Sequence, residues 1–146
     1  MIDIFTDASC IPPAGVGGWA ALIRYEPTRV VELSGMEPCG RINRMELLAA
    51  IKALATIPVC TEATIWTDSQ YVVRGSGQFK KYIKQGDVWV KKGYENSDLW
   101  RIFDELKRTR TISVRWIRGH SGHPDNEFVN KLARTTVIKA LRARRG

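Results

Sequence analysis

Two short segments of the sequence end alike, Ile4-Phe5-Thr6-Asp7-Ala8-Ser9 and Ile65-Trp66-Thr67-Asp68-Ser69-Gln70. If both are strands, parallel and adjacent, Asp7 and Asp68 face each other at one sheet edge. A third carboxylate, Glu46, stands near the start of a helical pattern on the small-residue face made by Ala49, Ala50 and Ala53, which lets that helix pack closely on the sheet. Each acid has a purely structural alternative. Asp7 fits an Asx turn, Asp68 fits an N-cap, and Asn43-Arg44-Met45-Glu46 fits a capping box with Asn43 at the N-cap. Taken together they mean something else, because three converging carboxylates without basic partners repel strongly and divalent cations are the natural compensation. Oxygen-only ligands suit Mg²⁺ or Mn²⁺, the ions of two-metal phosphoryl transfer.

The elements that must position these acids follow from hydrophobic period. Residues 2 to 8 alternate as a strand, with Ile2, Ile4 and Thr6 on one face and Asp3, Phe5 and Asp7 on the other. After the turn IPPAGVGG, the segments GWAALIRY and RVVELSG, separated by Glu26-Pro27-Thr28, read as two further strands of an antiparallel meander. From Asn43 the period becomes helical through Leu47, Leu48, Ile51, Leu54 and Ala55, up to the break at Pro58. ATIWT is a fourth strand running into a short helix at Ser69, and QFKKYIKQGDVWVKKGY reads as short helix and exposed loop. Ser97 can cap a helix through Lys107, TISVRWI alternates as a fifth strand, and Val129, Leu132, Ala133, Val137, Ala140 and Leu141 form the apolar stripe of a final helix. The expected fold is an α/β, five-stranded mixed sheet flanked by helices, with the first three strands an antiparallel meander. In such sheets ligands sit beyond the carboxyl ends of the strands.

Composition limits the class of function. A chain of 146 residues with 44% hydrophobic and 26% charged residues is expected to form one globular domain, residues 1–146, around one core. There are no repeats or low-complexity tracts. No apolar run reaches membrane-spanning length, and the start MIDIFTDAS lacks the features of a secretion signal, so a cytosolic location is expected. Cys10, Cys39 and Cys60 form no CxxC pair and read as small buried side chains rather than a zinc knuckle or disulfide framework. The net charge of +8 favours a polyanionic partner through counterion release, without choosing among DNA, RNA and anionic lipid.

The segments TDAS, NRMELLAAI, TDSQYV and IRGHSGHPDNEFVNKLAR, in that order and at these spacings, resemble type 1 ribonuclease H of the bacterial kind over essentially the whole chain. The resemblance implies the five-stranded mixed sheet of the ribonuclease H superfamily. It implies that Asp7, Glu46 and Asp68 are three of the family's four metal-binding acids and that His120 is its mobile-loop histidine. It also implies that Asn43 and Gln70 touch an RNA/DNA hybrid. Lys80, Lys81, Lys84, Lys91 and Lys92, interleaved with Phe79, Tyr82, Trp89 and Tyr94, match the family's basic handle, which grips the DNA strand. The chain departs from the family at four places. Asn130 takes the fourth acidic position, Ile42 replaces an asparagine, Arg41 stands where a threonine is common in the phosphate pocket, and Pro13 replaces a polar residue of the first turn.

The activity implied is hydrolysis of the RNA strand of a hybrid by two ions held by Asp7, Glu46, Asp68 and Asn130, leaving 5′-phosphate and 3′-hydroxyl ends. His120, on a loop loosened by Gly119 and Gly122, is placed to shuttle a proton or assist product release. A zinc pair from His120 and His123 lacks a cysteine or third ligand, and His123, before Pro124, shapes the loop and helix start. The protein is expected to act as a monomer. Two other functions share the fold. One is a binding module that has lost catalysis, for which Asn130 is the sequence argument; the other is a DNA-directed nuclease or integrase, which NRME, TDSQ and the basic handle fit poorly.

Overall fold

The computed structural model describes residues 1–11, 15–38, 40–77, 82–85, 88–91 and 95–145. The first three strands, β1 (Ile2–Ile11), β2 (Val16–Glu26) and β3 (Arg29–Glu37), form the expected antiparallel meander. Helix α1 (Ile42–Thr56) crosses to β4 (Glu62–Thr67), which lies parallel to β1. After the short α2 (Gln70–Gly77) come β5 (Tyr82–Gln85) and β6 (Val88–Lys91), then α3 (Ser97–Arg108), β7 (Thr111–Trp116) and the long α4 (Pro124–Arg145). The main sheet has the order β3-β2-β1-β4-β7, with β7 parallel to β4.

That order sets the position of a ligand site. From β1 the chain turns to one side of the sheet, and from β4 it crosses to β7 on the other, so β1 and β4 flank the point where the connections diverge. In open sheets that is the point at which ligands sit, beyond the strand ends.

Helices cover both faces of the central strands, which is why Val16 through Ile23 are buried without alternation. On one face α1 packs against β1, β2 and α3, and Ile4, Ile23, Ile65, Leu47, Leu54, Trp100 and Phe103 build the larger core. Because α1 lies between sheet and α3, it is buried around most of its circumference, and Ala49, Ala50 and Ala53 are fully enclosed. On the other face Val129 and Ala133 of α4 meet Phe5, Ala20 and Leu22. The apolar side chains thus divide into two clusters, one on each side of the sheet, where a single core was expected. Helix α4 can approach this closely because position 18 is glycine: a Cβ there would lie 2.6 Å from Val137 Cγ2 and 2.9 Å from the Ala133 carbonyl oxygen.

Two local expectations are corrected. Within the basic, aromatic stretch the structure has an antiparallel hairpin of β5 and β6, with Gln85 opposite Val88, instead of helix and loop. Tyr82-Ile83 and Val88-Trp89-Val90 are β-branched and aromatic runs that suit a ladder better than a helix. Ser97 is the first residue of α3 rather than its cap, and the cap position falls on Asn96 in the left-handed region, φ 63°, with no side-chain capping bond. Among the described residues no helix is long and apolar enough to cross a membrane.

Candidate metal centre

β1 and β4 pair in parallel as far as Phe5 opposite Trp66. Two steps further along that register, Asp7 stands opposite Asp68 where the two strands part. Glu46 reaches the same point from the second turn of α1. One carboxylate oxygen from each of Asp7, Glu46 and Asp68 lies within 4.8 Å of the others. Asp7 is 3% exposed and Glu46 6%, while Asp68 is half-buried.

For Glu46 and Asp68 the structural alternatives do not hold. α1 begins at Ile42 with Arg41 at the cap position and no side-chain cap bond, so Glu46 belongs to no capping box. Its Oε2 is buried with no hydrogen-bond partner among the described residues. The cap of α2 is Ser69, whose Oγ accepts from the Val72 amide at 3.2 Å, leaving Asp68 free of that task. Asp7 Oδ1 does accept a local bond, from the Ala8 amide at 2.9 Å. Its Oδ2 accepts from Asn130 Nδ2, also at 2.9 Å, across 123 residues of sequence. The amide nitrogen is the donor here and the carboxylate oxygen the acceptor. The amide oxygen of Asn130 remains for another partner.

Electrostatics record the strain of this cluster. Burial, then the charges of Asp7 and Asp68, hold the Glu46 carboxyl well above the usual carboxylate range. Burial and Asp7 push Asp68 up to about 6, against the lowering effect of its own backbone hydrogen bond and of His120. Two acids resisting ionisation beside a third, with one oxygen orphaned, is the donor set a divalent cation fits. Residues Asp7, Glu46 and Asp68 could hold such an ion.

His120 lies close enough to Asp68 for its charge to act there, on an exposed turn with φ 56°. Gly119, expected to loosen this loop, does something more specific. A Cβ at 119 would lie 2.8 Å from Asp68 Oδ2, so glycine lets the histidine loop close against that carboxylate. His123 is the residue before α4; its Nδ1 accepts from the Asp125 amide at 3.3 Å and its ring stacks on Phe5 with centroids 5.0 Å apart. Among the described residues neither histidine belongs to a group of three side chains that could hold a metal ion. Asn43, in the first turn of α1, donates through Nδ2 to Glu95 Oε1 at 3.3 Å, a contact that the sequence did not signal. Gln70 is exposed at the start of α2. Lys80, Lys81, Lys92, Phe79, Tyr94, Pro13 and Cys39 lie outside the described residues, as do the side chains of Tyr82, Lys84, Trp89 and Lys91.

The family model for RNase H matches residues 1–138. The chain belongs to the RNase H family. Within it, the chain is 43% identical over 144 residues to a ribonuclease H of Nitrosospira multiformis, covering 97% of this chain and 92% of that one. It is 39% identical to a ribonuclease H of Geotalea uraniireducens, covering 93% of each. Among solved structures it resembles LC9-RNase H1, a type 1 RNase H with the type 2 active-site motif, with a TM-score of 0.76 and 26% identity over 94% of this chain and 72% of that one. An RNase H is an enzyme, a nuclease of the hydrolase class, and the five-stranded mixed sheet is this family's fold.

Proposed function

We propose that the protein is a metal-dependent endoribonuclease that hydrolyses the RNA strand of RNA/DNA hybrids, leaving 5′-phosphate and 3′-hydroxyl ends. The observation that carries this reading is the buried convergence of Asp7, Glu46 and Asp68 within 4.8 Å at the divergence of β1 and β4. Two ions, Mg²⁺ or Mn²⁺, would supply there the activation of water and the neutralisation of charge that in-line phosphoryl transfer needs.

The chain's own residues do the rest. Asp7, Glu46 and Asp68 would hold the ions, and Asn130, whose Nδ2 donates to Asp7 Oδ2, would complete the site with its amide oxygen as a neutral ligand. His120, exposed beside Asp68, carries a proton to or from the departing product. Asn43 and Gln70, at the first turns of α1 and α2, contact the hybrid. Recognition of a hybrid requires contacts to 2′-hydroxyls across the minor groove and to a DNA-shaped backbone on the other strand. For the second of these, Lys80, Lys81, Lys84 and Trp89 serve as the handle. Residues 1–146 act as one catalytic domain, as a monomer in the cytosol; Cys10 and Cys60 are free thiols, as that compartment keeps them.

Asp68→Ala tests the reading directly. Turnover should all but vanish while the circular dichroism spectrum and melting cooperativity stay parental, because removing one of three repelling acids relieves the fold. Full activity in Asp68→Ala would overturn the assignment.

A further inference from the structure

A groove of about 450 Å³ runs along α4, lined by Glu127, Asn130, Lys131, Arg134, Thr135 and Ile138. One of its lining residues, Asn130, is bonded to Asp7, so the groove begins at the metal centre. From Asn130 to Arg134 the helix rises about 6 Å, one turn, which sets Arg134 the next step along from the site of reaction.

The basic residues of α4 divide into two groups. Beyond Glu127 the chain has no acid and carries Lys131, Arg134, Lys139, Arg142, Arg144 and Arg145, but only Lys131 and Arg134 line the groove. Both are exposed. Glu127 stands four residues before Lys131, a spacing that favours pairing, yet among the described residues neither Lys131 nor Arg134 is held in an ion pair. Three arginines among the described residues are engaged in this way: Arg24 binds Asp125 at 2.8 Å, Arg44 binds Asp98 at 2.8 Å and Arg108 binds Glu105 at 3.1 Å. A guanidinium left free beside a hydroxyl-bearing Thr135 in a concave strip is suited to a phosphate oxygen.

We propose that this groove binds the sugar-phosphate backbone of the RNA strand next to the scissile phosphate, with Lys131 and Arg134 each holding a phosphate. The inference rests on the reading of the metal centre as a hybrid-cutting site. It makes α4 a second substrate surface, separate from the handle.

The test compares two double variants in steady-state cleavage of a labelled hybrid across a salt series. Lys131→Ala with Arg134→Ala should raise KM by roughly tenfold at low salt and lower the steepness of its salt dependence by roughly two units, one per phosphate, with kcat within about twofold. Lys139→Ala with Arg142→Ala, the same charge loss outside the groove, should change that slope by well under one unit. Trimming the RNA strand beside the cut should erase the difference between parent and groove variant, whereas trimming only the DNA strand should preserve it. If the two double variants behave alike, or if trimming the DNA erases the difference, the groove assignment is overturned. A parent that cuts no hybrid would overturn the functional reading itself, a result distinguishable from either.

Discussion

Glu46 and Asp68 are carboxyls held above their ordinary range, and the sign of the consequence for stability is fixed by that direction. A folded-state value above the unfolded one means that the native protein binds protons more tightly than the unfolded chain. The stability these two acids contribute is therefore present in mild acid and lost as pH rises, for Asp68 through about 6. Without metal, Glu46→Gln should melt above the parent at pH 8, on the order of 5 °C, with the gap narrowing at pH 5.5; equal gaps at both would contradict the shift. Protons and cations compete for the same oxygens, so the metal concentration for half-maximal rate should climb as pH falls below about 6. Asn130 gives a companion prediction. Asn130→Asp should lower the metal requirement by adding charge, while Asn130→Ala should cost rate at every metal concentration; parental turnover in Asn130→Ala would remove it from the site. At this scale the sequence was legible where residue type alone carried the chemistry. Asp7 and Asp68 stand in matching strand ends, and Glu46 shares a small-residue helix face. Asn130 lies at the border of the apolar stripe of α4, where period alone does not choose between exposed and inward, and the docked helix brings its Nδ2 to Asp7. Gly119 read as a flexible residue because its contact, Asp68, is about fifty positions away in sequence.

Helix α4 brings Asn130 to the sheet, and its seat is the missing side chain of Gly18. Gly18→Ala would put a methyl 2.6 Å from Val137 Cγ2 and 2.9 Å from the Ala133 carbonyl oxygen, and the second of these is backbone that cannot rotate away. The helix must shift, at about 1–3 kcal/mol. We expect a lower melting midpoint together with weaker Mn²⁺ binding, read by titration without substrate, since Asn130 moves with the helix. Parental values for both would show that α4 is not seated as described. The long, strongly periodic elements were legible: the meander, α1, β4, β7 and α4 all follow from hydrophobic period. The hairpin of β5 and β6 was missed although Gly86-Asp87 between two β-branched runs is a hairpin signal. Interleaved lysines hid the alternation by making both periods weak. The cap of α3 was misplaced, and the capping-box alternative at α1 failed, for another reason. Residues able to cap, Asn43 and Ser97, stand inside the helices, and neither N-cap residue makes a side-chain cap bond.

For the molecule as a whole, the net charge of +8 provides the long-range attraction that brings a polyanion to a site which is itself acidic. The handle lysines should contribute to binding and not to chemistry. With Lys80, Lys81 and Lys84 all neutralised, KM should rise and its salt dependence flatten by roughly one unit for each phosphate no longer neutralised, while kcat holds; an unchanged KM and slope would exclude these residues from the interface. Composition pointed to a polyanion without naming it, because a charge excess has no sequence or sugar specificity. The order of strands, set by tertiary pairing, then placed three acids at one crevice and left α4 as its border. The central claim is that these acids make a cation-dependent cutter of hybrid RNA. The most direct measurement is cleavage of an end-labelled RNA strand annealed to DNA, run beside duplex RNA and duplex DNA, each with Mg²⁺ or Mn²⁺ and again with excess chelator. Cutting of the hybrid's RNA strand alone, leaving 5′-phosphate ends and abolished by the chelator, is the predicted result; equal cutting with the chelator present, or cutting of duplex DNA in preference to the hybrid, would contradict it.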